Sequence, residues 1–140
     1  MMQNQGFKIG KKILVADDEP HIMMTLEDLL TQEGYVVLKA SDGKKAFDEA
    51  RKMVPDLIVL DVMMPKMNGF EVLQKLKKEP KTMDIPVIML TVRSAAPDVQ
   101  QGIQLYAEKY VTKPFEPELL LKEIEHSLAI RYKMPGQTGL

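Results

Sequence analysis

Apolar residues along this chain come in short unbroken runs. Most runs are followed by a segment in which apolar residues recur every three or four positions. The clearest run is Leu57-Ile58-Val59-Leu60. Four consecutive apolar residues are too few for a helix of their own and read as a strand buried on both faces. The run ends directly on Asp61, a carboxylate placed where the strand leaves the sheet. Pro65 sets the turn beyond it, and Gly69 lets the backbone pass before the next helix. A carboxylate anchored by a rigid strand and open to solvent on one side is a candidate nucleophile or metal ligand. The plainer alternative is a strand-end Asp that caps the next helix.

The same pattern recurs on either side. Residues 11–16 form a first strand that ends in acid, Asp17-Asp18-Glu19. Pro20 suits the first turn of a helix. Ile22, Met23, Leu26, Leu29 and Leu30 follow at helical spacing, and Gly34 ends that helix. Residues 35–39 make a shorter, more mixed strand that suits a sheet edge. Ser41-Asp42-Gly43 caps a second helix with Ala46, Phe47, Ala50 and Met53 inward, and Pro55 closes it. A third helix spans residues 70–78 on Phe70, Val72, Leu73 and Leu76, and Glu79-Pro80 breaks it. Residues 85–90 are a fourth strand ending at Thr91. Residues 92–96 read as loop, and Pro97 opens a fourth helix. That helix is weak, with Val99, Ile103 and Leu105 as its large apolar anchors and Gly102 inside it. Residues 108–112 are a fifth strand that closes on Lys113-Pro114-Phe115. The last helix starts near Pro117 and buries Leu120, Ile124 and Leu128, flanked by Leu119 and Leu121.

Strand and helix thus alternate five times. Helices of crossover length imply an α/β fold: a five-stranded parallel sheet with five helices covering both faces. In the doubly wound, flavodoxin-like order 2-1-3-4-5, ligands bind in the crevice where strands 1 and 3 lie adjacent. The folded module is expected over residues 11–130. Residues 1–10 read as a flexible leader, and residues 131–140, with Pro135, Gly136 and Gly139, as a disordered tail or the start of a linker. A length of 140 residues suits one domain. A net charge of -1 provides no footprint for nucleic acid or an anionic membrane. The absence of cysteine excludes disulfides and thiolate metal sites. Neither a signal-peptide pattern nor an apolar run of membrane length is present. The chain is therefore expected in the cytoplasm, without nucleic acid or membrane as partner. Its 11 methionines lie mostly at apolar positions and read as adaptable core fillers rather than soft-metal ligands.

On this topology Asp17 and Asp18 close strand 1, Asp61 closes strand 3, Thr91 closes strand 4 and Lys113 closes strand 5, all along one edge. Two unit charges at contact range repel by roughly 4 kcal/mol at an effective dielectric of about 20. Three carboxylates in one crevice therefore take up protons or hold a cation. With oxygen donors only, and no His or Cys nearby in sequence, the fitting ion is hard: Mg²⁺ or Mn²⁺. Lys113 adds a mobile point charge and Thr91 a hydroxyl donor. Carboxylate, metal, ammonium and hydroxyl around one point are the parts that phosphoryl transfer needs. Taken singly, Lys113 reads as an ion-pair partner of Asp18 and Thr91 as one more strand residue; their joint position on one edge is what points to chemistry.

Asp17-Asp18, Asp61 with Met64-Pro65 and Gly69 after it, Thr91, and Tyr110 followed by Lys113-Pro114-Phe115 resemble the receiver domain of two-component response regulators. The resemblance covers about residues 12–130. It implies that Asp61 accepts a phosphoryl group from the phosphohistidine of a sensor histidine kinase or phosphotransfer protein. It further implies that Asp18, Asp61 and the backbone carbonyl of Met63 bind Mg²⁺, that Asp17 holds the ion's waters, and that Thr91 and Lys113 grip the phosphoryl oxygens. A cis peptide at Lys113-Pro114 is also implied. Phosphorylation would draw Thr91 toward Asp61, and Tyr110 would swing inward into the vacated space. The output surface would then be the fourth helix, fifth strand and fifth helix, offered to a downstream protein or to a second receiver in a homodimer. Such a chain is a signalling domain that assists its own phosphorylation and dephosphorylation, not a turnover enzyme.

Some positions depart from the family pattern. Val92 stands where a small residue usually follows Thr91, and Tyr106 stands where Gly is frequent. Met63 and Arg93 occupy positions that tune phosphoryl lifetime. An apolar Met63 cannot orient a water, and Val92 narrows access, so a long-lived phosphoryl state is expected. Two rival readings are a Mg²⁺-dependent phosphatase or phosphotransferase of the haloacid-dehalogenase kind with Asp61 as nucleophile, and a degenerate receiver that only binds a partner. The first usually has a second Asp two residues after the nucleophile, where this chain has Met63. The second conflicts with the complete set of acidic residues.

Overall fold

The computed structural model describes residues 8–92 and 109–138. In chain order the elements are β1 (Lys12–Ala16), α1 (Pro20–Gln32), β2 (Val36–Ala40), α2 (Gly43–Met53), β3 (Leu57–Asp61), α3 (Gly69–Lys78), β4 (Val87–Val92), β5 (Lys109–Lys113) and α4 (Pro117–Thr138). The strands form one parallel sheet in the order β2-β1-β3-β4-β5. This is the flavodoxin-like α/β architecture expected from the alternating pattern. Four helices are seen among the described residues; the helix expected from Pro97 lies outside them.

Alternation along the central strands builds two cores. Leu14, Ile58, Leu60, Val87 and Met89 face one side, where Ala46 and Ala50 of α2 and Val72, Leu73 and Leu76 of α3 cover them. Ile13, Val15, Leu57, Val59, Ile88 and Leu90 face the other, under Leu26 and Leu30 of α1 and Leu120, Ile124 and Leu128 of α4. Each of the Val, Leu, Ile and Met side chains removed from water contributes about 1.5–3 kcal/mol. All five residues of β3 are buried, as its unbroken apolar run requires. β2 pairs on one side only, and its exposed Val36 fits the mixed pattern of an edge.

Differences from the sequence expectation have local causes. β4 begins two residues later than expected, because Pro86 has no N–H for the ladder; its carbonyl instead accepts from Ile58 N at 3.0 Å. The strand then continues through Thr91 and Val92, which pair with Thr112 and Lys113. The end of the leader is docked rather than loose. Lys8 is buried, and its ammonium sits 2.9 Å from Glu33 at the end of α1 and 3.0 Å from Glu125 on α4. Burial opposes that charge, but the two carboxylates outweigh it and raise the Lys8 pKa. α4 runs on to Thr138 through Pro135 and Gly136, so the backbone of residues 131–138 is helical where a disordered tail is expected. A helix already docked needs no new nucleus, and each further residue only propagates it.

The segment after β3 is fixed from both ends. Val62 N–H donates to Leu90 O at 2.9 Å, and Gly69 N–H returns to Val62 O at 2.8 Å. Asn68 and Glu71 form a reciprocal capping box at the start of α3. A Cβ on Gly69 would collide with the backbone of Asp61 and Val62, so this close approach requires glycine. Gly69→Ala is therefore expected to destabilise the chain by about 1–3 kcal/mol. A urea titration reads this as a lower midpoint at unchanged slope.

Candidate functional site

Three strands deliver a charged side chain to the same end of the sheet, on the same face. Along β1 the residues turned toward α1 and α4 are Ile13 and Val15, and Asp17 is next in that alternation. Along β3 they are Leu57 and Val59, followed by Asp61; along β5, Val111, followed by Lys113. Lys113 Nζ lies 2.9 Å from Asp17 Oδ2 and 3.4 Å from Asp61 Oδ2. The contact with Asp17 is an ion pair off the line of a well-directed hydrogen bond. Backbone donors hold the other oxygens: Glu19 N–H donates to Asp17 Oδ1 at 2.9 Å, and Met63 N–H to Asp61 Oδ1 at 3.3 Å. Asp18 points to solvent, and carboxylate oxygens of Asp17, Asp18 and Asp61 all lie within 4.8 Å of one another.

Asp61 is more enclosed than a strand-end carboxylate open on one side, being only 4% exposed. Burial, and then the neighbouring Asp17 charge, push its pKa up to about 6. Lys113 and the Met63 N–H pull in the opposite direction without cancelling them. Burial works against the Lys113 ammonium, but Asp17 and Asp61 outweigh it and raise that pKa too. Asp17, Glu19 and Asp61 thus meet one ammonium, and Asp18 adds a further carboxylate beside Asp17 and Asp61. The surplus negative charge and the all-oxygen donor set fit a hard divalent cation such as Mg²⁺.

The other expected residues are placed as follows. Met63 offers its N–H to Asp61 while its side chain is 60% exposed, and Val92 is exposed at the end of β4. Arg93 and Tyr106 lie outside the described residues. Thr91 is buried on the face opposite Asp61's alternation, with Met89 and Val87, and its hydroxyl donates to Val92 O at 3.2 Å. Tyr110 pairs with Met89 and is the diagonal neighbour of Thr91 on that face. Its ring is partly buried and packs against the core beneath α2 and α3. The Tyr110 hydroxyl is buried without a hydrogen-bond partner among the described residues, and burial pushes its pKa up to about 12. The peptide Lys113-Pro114 is cis. Glu19 is the member that sequence reasoning left out. Its Oε1 lies 3.4 Å from Lys113 Nζ, and the only signal was its place in the acidic run after β1.

The chain matches the response regulator receiver domain over residues 13–125. It is 43% identical over 139 residues to a probable transcriptional regulator, ycf27, of Porphyra purpurea, a match that covers 99% of this chain and 54% of the relative. It is similar to the chemotaxis response regulator CheY4 of Vibrio cholerae, with TM-score 0.79 and 34% identity over 84% of this chain and 98% of that one. It is also similar to the receiver domain of the sensor histidine kinase PA1611 of Pseudomonas aeruginosa, solved with a magnesium ion coordinated in the active site cleft. That likeness has TM-score 0.80 and 25% identity over 86% of this chain and 98% of the other. The chain spans about half the length of the curated relatives it matches. Among the described residues, no helix is long and apolar enough to cross a membrane.

The raised Asp61 pKa makes stability depend on pH. Its folded value of about 6 lies above the ordinary 3.8, so between these values the folded chain holds more protons than the unfolded one. Stability therefore falls as pH rises through that window, by up to about 3 kcal/mol from this group. Asp61→Asn cannot ionise and escapes the loss. In chelator, Asp61→Asn is expected to be more stable than wild type by about 1–3 kcal/mol at pH 7.5, with the difference fading toward pH 4. Urea melts of both proteins across this range measure it.

Proposed function

The chain belongs to the response regulator receiver family, and from that premise we propose that Asp61 is its phosphoacceptor, served by the phosphohistidine of a sensor histidine kinase or phosphotransfer protein. The observation that carries this is the meeting of Asp17, Asp18 and Asp61 oxygens within 4.8 Å, with Lys113 beside them. In the transfer, an Asp61 oxygen forms a bond to phosphorus while the bond from phosphorus to the histidine nitrogen breaks. The products are an acyl phosphate on Asp61 and a free imidazole on the donor. The chain's own task is positioning and charge neutralisation. Met63 N–H steadies one Asp61 oxygen and leaves the other for attack. Lys113, freed from Asp61, holds a phosphoryl oxygen, and Thr91 does the same once its hydroxyl leaves the Val92 carbonyl. Asp17, Asp18, Asp61 and the Met63 carbonyl are the residues that would hold Mg²⁺, or Mn²⁺ in its place. When bound, that ion neutralises charge on the phosphoryl oxygens.

The output is proposed to leave through β5, α4 and the segment between β4 and β5, toward a downstream protein or a second receiver. The absence of a nucleic-acid footprint applies to this stretch only. Relatives named as transcriptional regulators are about twice its length, so a link to DNA through a longer protein is part of the proposal. The folded unit is proposed to cover residues 11–130, with residues 8–10 clipped to it.

Incubation with a small-molecule phosphodonor and Mg²⁺ is expected to add one phosphoryl mass to wild type and none to Asp61→Asn. Modification of Asp61→Asn to the same extent, or of neither protein, overturns the assignment. The exposed Met63 and Val92 side chains supply no group to orient water. Val92→Ala and Met63→Asn are therefore expected to shorten the phosphoryl half-life, read by the decay of the phosphorylated mass.

A further inference from the structure

Lys113 has three carboxylate neighbours rather than two. Its Nζ lies 2.9 Å from Asp17, 3.4 Å from Asp61 and 3.4 Å from Glu19. Glu19 is the N-cap residue of α1, a place where side chains ordinarily accept from the helix's free N–H groups. It makes no such bond. Its backbone is fixed at the site instead, through the 2.9 Å bond to Asp17 Oδ1, and its side chain reaches a residue 94 positions away. The three partners also approach from different depths. The side chains of Asp17 and Asp61 are 0% and 6% exposed, whereas Glu19 is 49% exposed. Glu19 is therefore the partner that pulls from the solvent side.

We propose that Glu19 is a positioning residue for Lys113. It shares the ammonium with Asp61 and draws it toward the mouth of the hollow, so that a cation can enter between Asp17, Asp18 and Asp61. This rests on the reading of Asp61 as a Mg²⁺-assisted phosphoacceptor. Asp61 and Glu19 stand at equal distance from Nζ, so neither holds it alone. Without Glu19, Asp17 and Asp61 are the remaining carboxylate partners among the described residues, and the ammonium settles deeper between them. An entering divalent ion must then displace a more tightly held positive charge, against a shorter distance for repulsion.

The test compares wild type, Glu19→Gln and Glu19→Asp at one neutral pH. Asp keeps the charge but is one methylene shorter, and it is a better N-cap, so α1 is not weakened. The first readout is the NMR signal of the Lys113 ammonium in metal-free protein, assigned with Lys113→Arg. The second is Mg²⁺ affinity by calorimetry. Both variants are expected to move the Lys113 signal and weaken Mg²⁺ binding about two- to fivefold, the range of a partly exposed ion pair. Glu19→Asp matching wild type in either readout overturns the proposal, since nearby charge alone would then suffice. An unmoved Lys113 signal in Glu19→Gln, or unchanged Mg²⁺ affinity in both variants, overturns it as well. A wild type that takes up no Mg²⁺ overturns the phosphoacceptor reading instead, while the metal-free Lys113 signal still decides the positioning.

Discussion

Like charges forced together at the end of the sheet govern this molecule. The oxygens of Asp17, Asp18 and Asp61 lie within 4.8 Å of each other, and Lys113 is the cation that meets two of them. At such separations each unbalanced pair is worth roughly 3–4 kcal/mol at an effective dielectric of about 20, a large share of a domain's total stability of about 5–15 kcal/mol. The fold tolerates this because the carboxylates sit at the ends of β1 and β3, whose interiors are apolar and buried. The cost at the edge is carried by burial elsewhere. It also explains why Lys113, on the edge strand β5, must reach past the end of β4 to find its partners. A long, unbranched side chain with a compact charge can do so.

The sheet register is what makes the convergence possible. Asp17, Asp61 and Lys113 each follow residues that face α1 and α4, so the pleat brings all three to one side. A slip of one residue in any of these strands would send its charge to the opposite face. The loop after β3 guards against that at the most sensitive strand. The Val62–Leu90 and Gly69–Val62 hydrogen bonds and the glycine-only contact at Gly69 leave Asp61 one place to be. Site and scaffold are in this sense the same set of constraints.

Most of this could be read from residue order, and the parts that could not share a cause. Apolar runs and helical spacing carried the strands and the helices, because each is set by neighbours close in sequence, and the handedness of crossovers narrowed the strand order. The strand-end acids followed from where the runs stop. The sequence hid interactions between groups far apart in the chain: Lys8 with Glu33 and Glu125, and Glu19 with Lys113. Nothing in the polar residues before β1 distinguishes a docked lysine from a solvated one. Likewise, Glu19 looks like one more residue of the acidic run after β1 until the position of β5 is known. The extension of α4 through Pro135 went unseen for a different reason. A breaker residue weakens a helix locally, but it does not stop one that is already anchored by Leu120, Ile124 and Leu128.

The two faces of β5 connect the charged hollow to the rest of the molecule. Lys113 belongs to the face that feels the charge on Asp61, while Tyr110, three residues earlier, belongs to the face that packs beneath α2 and α3. Thr91 stands diagonally across from Tyr110 at the end of β4, next to the strand that carries Asp61. Asp61 therefore stands beside one end of this five-residue strand, and the partly buried Tyr110 ring lies near the other. Among the described residues the Tyr110 hydroxyl has no partner, and a buried hydroxyl left so forfeits about 1–3 kcal/mol. Among the described residues, the Thr91 hydroxyl is held by a neutral bond to the next residue's carbonyl. The hollow, by contrast, is held by charges that do not relax until something binds or a proton arrives. The charged hollow and the packed Tyr110 ring thus sit at the two ends of one short strand.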